Sequence, residues 1–278
     1  MTGPARYESQ EWNGSTAAMG AMEGHRWLRR VAGGCGKTSR RLIFFPYAGG
    51  DEAPAMQIAE CLPVDTEVWA VSLPGSGRNL GGVAPTLVDS ATAIAAAVTA
   101  LPRMPTVAWG HSLGALFAYE TACRVEAGCD GAIDAIIVSG ARAPHCERSI
   151  DRMSAWDRDR LVDHLRGLGG LPQAVLDHGE LLDFAVERFR HDISLFERYA
   201  PSDRAPLKIP LIALGGVDDA LVQWREIDAW RACTTRFDSR MFKGDHFFIL
   251  RELSALARIA VRAADDRLAR SLAEAPAA

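Results

Sequence analysis

No apolar run in the 278 residues reaches the length of a membrane-spanning helix. The N-terminus also lacks the basic-then-apolar order of a secretory leader, so a cytoplasmic protein with no membrane association is the expectation. There is no excess of positive charge. Lys and Arg number 31 against 35 Asp and Glu, a formal net charge of -4, which argues against a broad nucleic-acid surface without ruling on any local basic patch. Cysteine is sparse and scattered: none of Cys35, Cys61, Cys123, Cys129, Cys146 and Cys233 forms a C-x-x-C pair, and no Cys/His cluster has zinc spacing. Reduced thiols, rather than a disulfide framework or a metal site, are therefore expected. Internal repeats are lacking as well. What is present is an ordinary globular balance, 48% hydrophobic and 24% charged, in a chain long enough for one large domain or one domain with an insertion.

The pattern along the chain divides it. Residues 1–25 are rich in Gly, Ala, Ser, Thr and Met without a period, and are expected to form a flexible tail. From Arg41 short apolar runs alternate with helical stretches. Strands are expected at 42–45, 68–71, 106–109, 136–138, 211–214 and 239–242, and helices at 54–61, 86–101, 113–127 and 250–271. That alternation indicates βαβ units and a mostly parallel sheet. The rhythm breaks between 145 and 205, where the sequence is charged, helical in pattern and interrupted by Gly167, Gly169-Gly170 and Pro172. The expectation is an α/β domain over 26–272 carrying a helical lid insertion at 145–205, with a frayed end at 273–278.

The motif that carries chemistry is Gly110-His111-Ser112-Leu113-Gly114, which fits G-x-S-x-G between an expected strand and an expected helix. A sharp strand-to-helix turn raises the serine hydroxyl above the sheet, and the flanking residues must be small because strand and helix crowd there. Ser112 is thus the candidate nucleophile of an α/β-hydrolase. A serine hydroxyl needs a base, and the base an orienting carboxylate. Of seven histidines, His246 alone stands in a turn between a late strand and the last helix. His25 falls in the tail, His111 inside the elbow, and His145, His164, His178 and His191 in the insertion, where a solvated role is expected. The acid is expected after the strand at 211–214, where Asp218 and Asp219 both stand; Asp219 is preferred and Asp218 stays open. The oxyanion requires two backbone N–H donors. Leu113 is one, and the second is expected from Pro46-Tyr47-Ala48-Gly49-Gly50, with Ala48 preferred over Tyr47.

A competing motif lies upstream. Residues 31–38, Val-Ala-Gly-Gly-Cys-Gly-Lys-Thr, nearly match the phosphate-binding G-x-x-x-x-G-K-[ST], but the first position is Val. A strand should precede such a loop and a helix follow it. Here no strand is expected before it and a strand is expected after, so nucleotide binding is rejected.

Together these segments resemble the type II thioesterases that accompany polyketide synthases and non-ribosomal peptide synthetases. Phe45-Pro46-Tyr47-Ala48-Gly49-Gly50 is similar to the family's F-P-H-A-G-G, with Tyr for His. Leu73-Pro74-Gly75-Ser76-Gly77-Arg78 resembles its P-G-x-x-x-R stretch, one residue shorter. Gly110 to Gly114, continuing to Ala118-Tyr119-Glu120, and Phe242-Lys243-Gly244-Asp245-His246-Phe247-Phe248 resemble its elbow and histidine segments. Trp27-Leu28-Arg29-Arg30 is similar to the family's opening. The likeness spans about 27–262. It supports Asp219, since the family's Asp stands three residues after a glycine, here Gly216, with a Trp eleven further on, here Trp230. The resemblance implies hydrolysis of acyl thioesters on carrier-protein phosphopantetheine arms, clearing stalled or wrongly primed acyl groups, with no cofactor and with carrier-protein domains as partners. A general esterase or lipase on oxygen esters, or a non-catalytic docking partner of a synthase, are the rival readings. Arg142, Arg148, Arg152, Arg158, Arg160 and Arg166 could meet an acidic carrier, but Glu147, Asp151, Asp157, Asp159 and Asp163 among them favour a mixed solvated surface.

Overall fold

A computed structural model describes residues 26–33, 37–74, 79, 86–128, 131–147 and 152–274, with side chains to residue 266. The expected tail at 1–25, the Gly75 to Arg78 stretch and residues 275–278 lie outside the described residues. Seven strands form one sheet: β1 (Leu28–Ala32), β2 (Arg40–Phe45), β3 (Thr66–Val71), β4 (Thr106–His111), β5 (Ala135–Ser139), β6 (Leu211–Gly216) and β7 (Phe237–Phe242). Their order is β1-β3-β2-β4-β5-β6-β7, with β1 antiparallel to β3 and every other pair parallel.

Inner strands covered on both faces should read as unbroken apolar runs whose alternate residues serve opposite cores. That is the observed pattern. Ile43 and Phe45, Ala108, and Ile136 and Val138 enter one buried cluster. Their neighbours Leu42 and Phe44, Val107 and Trp109, and Ala135 and Ile137 enter the other. The first core is closed by α2 (Leu87–Thr99) and α3 (Leu113–Gly128), through Ile94, Val98, Leu116 and Phe117. The second is closed by α1 (Ala53–Ala59) and α8 (Leu253–Glu274), through Ile58, Leu256 and Ile259. Each such side chain contributes about 1.5–3 kcal/mol by leaving water.

β1 was not anticipated. It is short, exposes Arg29 and Arg30, and holds only Leu28 fully buried, so it carries little apolar signal. It overlaps the start of the 31–38 motif, so a strand does precede those glycines, contrary to the sequence-based expectation. The phosphate-loop context is still missing, because β1 is an antiparallel edge strand and β2, not a helix, comes next.

Between β5 and β6 the chain forms α4 (Arg158–Leu168), α5 (Gln173–Leu176) and α6 (Gly179–Arg198). Asp157 caps α4 by accepting the Arg160 N–H at 2.9 Å, and Gly169 ends it at φ 70°. Leu161, Val162 and Leu165 of α4 pack against Leu182, Val186 and Phe189 of α6 in a third, smaller core. The final strand, α7 (Trp224–Asp228) and α8 complete the fold. Among the described residues no helix is long and apolar enough to cross a membrane.

Candidate active site

The chain leaves β4 and enters α3 through one residue, Ser112, with no connecting loop. Such a reversal demands a left-handed backbone there, and Ser112 is the one non-glycine among the described residues with positive φ, at 54°. An L-residue held so costs on the order of 1–2 kcal/mol, a cost typical of functional positions. The flanking glycines explain how strand and helix fit. A Cβ on Gly110 would stand 2.1 Å from the Gly114 carbonyl oxygen, and one on Gly114 would stand 2.1 Å from that of Phe45. Leu113 opens α3, so its N–H is among those a helix leaves without an internal partner, at the positive end of the helix dipole.

β2 lies beside β4, so the loop leaving β2 arrives next to the elbow. Tyr47 to Gly50 form a tight turn closed by the Gly50 N–H bonding the Tyr47 carbonyl at 2.8 Å, with Gly49 at φ 73°. Tyr47, Ala48, Ser112, Leu113 and His246 all line one cavity of about 720 Å³. Burial, with the Asp51 charge, pushes the Tyr47 phenol up to about 12, so it stays neutral.

Asp219 and His246 come from neighbouring strand ends. Past β6 and β7 the two loops are joined by bonds from the Val217 N–H to the Phe242 carbonyl and from the Asp218 N–H to the Gly244 carbonyl, at 2.8 and 2.9 Å. Gly216 permits this approach, since a Cβ there would lie 2.5 Å from the carbonyl oxygens of Gly244 and Asp245. His246 Nδ1 then stands 2.9 Å from Asp219 Oδ2. The other carboxylate oxygen, Oδ1, accepts the Leu221 and Val222 N–H groups at 2.8 and 3.2 Å. An ionised carboxylate only accepts, so this pairing puts the proton on Nδ1 and leaves Nε2 as the basic nitrogen. Asp218, the alternative acid, is exposed. Trp230, buried, donates from Nε1 to the Ala141 carbonyl at 2.7 Å.

His111 is fully buried, its ring centroid 5.1 Å from that of His246. Ser139 Oγ donates to the Gly110 carbonyl at 3.1 Å and accepts from Trp109 Nε1 at 3.0 Å, so His111 Nδ1, also 3.0 Å away, is the donor to it. Burial, then the neighbouring His246, keeps its pKa well below the usual 6.5. Its place inside the elbow motif carries no sequence signal for this contact with His246. The histidines of 145–205 divide. His145 and His178 are exposed, as expected. His164 is half-buried against Trp156 and Phe189, and His191 is half-buried too, so a solvated role does not describe either.

The cavity's far wall comes from the stretch between β5 and β6, including Leu165, Phe189, Ile193 and Phe196, with Arg142 and Arg152 among the lining residues. Arg158 pairs instead with Asp183, and Arg166 with Asp163. Two residues of α6 that sequence reading passed over, Arg188 and Asp192, bond the Tyr47–Gly50 turn directly. Nothing local in the sequence signals them, because they stand 138 and 143 residues from their partners.

The chain is similar to known proteins in sequence and in fold. The Thioesterase domain family matches residues 40–263. The gramicidin S biosynthesis protein GrsT of Aneurinibacillus migulanus is 31% identical over 212 residues, 75% of this chain and 82% of its own. A probable cadicidin biosynthesis thioesterase of Streptomyces griseus is 35% identical over 234 residues, 83% of this chain and 64% of its own. The structure of the type II thioesterase BorB from the borrelidin biosynthetic cluster superposes with a TM-score of 0.78 at 29% identity, covering 86% of this chain and 98% of that one. The chain belongs to the thioesterase family, an α/β-hydrolase acting on thioesters and akin to the type II thioesterases of polyketide and peptide biosynthesis.

Proposed function

We propose that this thioesterase hydrolyses acyl groups held as thioesters on the phosphopantetheine arms of carrier-protein domains, clearing stalled or wrongly primed chains. The observation that carries the reading is that His246, paired with Asp219 at 2.9 Å, lines the same cavity as a serine with left-handed backbone. His246 Nε2 takes the Ser112 proton as Oγ attacks the thioester carbonyl, and Asp219 holds the tautomer and stabilises the imidazolium. The N–H groups of Leu113 and Ala48 receive the developing oxyanion. As the C–S bond breaks, the carrier's thiol leaves with the proton from His246. Water, deprotonated by the same nitrogen, then attacks the acyl-Ser112 ester and releases the carboxylic acid. The chemistry calls for no cofactor beyond the arm carried by the substrate.

In this reading the insertion at 145–205 covers the acyl chamber and opens for the arm. The apolar wall formed by Leu165, Phe189 and Ile193 suits a hydrocarbon chain. A reducing cytoplasm suits the free thiols of Cys61, Cys123 and Cys233. The relatives named for gramicidin S, cadicidin and borrelidin biosynthesis support a carrier-bound substrate. The test is a panel of acyl-carrier thioesters, acyl-coenzyme A thioesters and simple oxygen esters, with Ser112→Ala as control. Carrier thioesters should be cleaved fastest. Faster cleavage of oxygen esters would make the protein a general esterase, and no cleavage at all would leave only a docking role.

A further inference from the structure

Asp192 and Arg188 stand four residues apart on α6 and so share one face of that helix. The face is pressed onto the turn after β2: a Cβ on Gly49 would lie only 3.5 Å from Phe189 Cβ. Asp192 Oδ2 accepts the Gly49 N–H at 2.8 Å, and Arg188 Nη2 donates to the Gly50 carbonyl. One N–H and one C=O of a single turn are thereby held from outside it, on either side of the Gly49–Gly50 unit. The turn contains the Ala48 N–H. The Gly50–Tyr47 bond closes the turn on itself, while the Ala48–Gly49 peptide unit, beside Gly49 at φ 73°, is held from outside the turn by Asp192.

A purely adhesive contact would not call for this chemistry. Asp192 is 1% exposed, and its second carboxylate oxygen has no hydrogen-bond partner among the described residues. Burial raises its pKa to about 6 against the pull of the Gly49 N–H and Arg188. Putting a carboxylate there costs stability, and an apolar side chain of similar size would seat the helix as well or better. What Leu could not supply is a direction for the Gly49 N–H.

We propose that Asp192, assisted by Arg188, is a positioning residue for the oxyanion site: α6 must be seated on the Tyr47–Gly50 turn for the Ala48 N–H to face the reacting carbonyl. The stretch that walls the acyl chamber therefore also sets the competence of the oxyanion site, so a chain that displaces α6 would bind and fail to react. This rests on the acyl-serine reading of Ser112 given above.

The test is the rate at which a fluorophosphonate inactivates the full chain, together with kcat, KM and the melting temperature. Phosphonylation of serine develops charge on the oxygen that the oxyanion donors receive. Removing one oxyanion donor outright costs about 10²–10³-fold, so misdirecting it through Asp192→Leu should slow phosphonylation and kcat about 10–100-fold. KM should move less than about threefold, the signature of an interaction made in the transition state. Asp192→Asn, whose amide oxygen can still accept the Gly49 N–H, should recover most of the rate. Arg188→Met, at the less buried partner, should slow phosphonylation by about 3–10-fold, and it serves if Asp192→Leu does not fold. A folded Asp192→Leu or Arg188→Met that phosphonylates at the wild-type rate overturns the proposal, as does Asp192→Asn no faster than Asp192→Leu. Failure of the underlying reading looks different: wild type unlabelled, or Ser112→Ala labelled equally well.

Discussion

Gly114 and Phe45 meet backbone to backbone: the position of a Cβ on Gly114 lies 2.1 Å from the Phe45 carbonyl oxygen and 2.6 Å from that of Pro46. The first turn of α3 and the end of β2 are thus as close as atoms allow, which is what places the Leu113 N–H and the Tyr47–Gly50 turn on one cavity. Gly114→Ala cannot be absorbed by a side-chain rotation, because both obstacles are main chain. It should destabilise the protein by about 3 kcal/mol or more and abolish turnover. A melting temperature and kcat equal to wild type would show that the elbow is not packed this way.

The strain at Ser112 separates stability from activity. Ser112→Gly removes the hydroxyl and also the cost of φ 54° for a residue with a Cβ. Thioester hydrolysis should fall at least about 10³-fold while stability to urea rises by about 1 kcal/mol. Unchanged turnover would remove Ser112 from the chemistry, and a loss of stability would mean the backbone is not strained.

Asp219 and Asp218 are adjacent in sequence and opposite in environment, one buried against His246 and one exposed. Asp219→Asn should lower kcat by about 10⁴-fold, since an amide can present its NH₂ to Nδ1 and favour the wrong tautomer. Asp218→Asn should stay within about twofold. The reverse order would assign the orienting role to Asp218.

His111 should make the fold sensitive to acid. Its folded pKa lies well below 6.5 because burial and His246 both disfavour the charge. Between that folded value and 6.5 the unfolded chain binds a proton that the folded chain does not. Stability contributed by keeping His111 neutral is therefore complete above 6.5 and is lost as pH falls below it, by up to about 1.4 kcal/mol per pH unit. His191, also lowered, acts in the same direction, whereas Asp192, raised from 3.8 to about 6, acts in the opposite one below pH 6. Urea melts from pH 7.5 to 5 should show a flatter decline for His111→Asn than for wild type. Parallel curves would mean that folding does not lower the pKa of His111.

The alternation of apolar runs and helices was enough to read an α/β sheet, because inner strands buried on both faces must be apolar throughout, as Leu42 to Phe45 and Ile136 to Val138 are. The elbow was legible for a similar reason: only glycine fits at 110 and 114, so the constraint is written in five consecutive residues. β1 was not legible, since an edge strand with Arg29 and Arg30 outward needs little apolar content. The choice between Asp218 and Asp219 could be stated but not decided locally. It depends on the loops past β6 and β7 being joined through Gly216, which turns one of two neighbouring carboxylates toward His246. The hold of Asp192 and Arg188 on the turn after β2, and the contact of His111 with His246, belong wholly to the tertiary structure. These contacts join residues 135 to 143 positions apart, and side chains so far apart in sequence meet only after the sheet has ordered its strands and the helices have packed upon it.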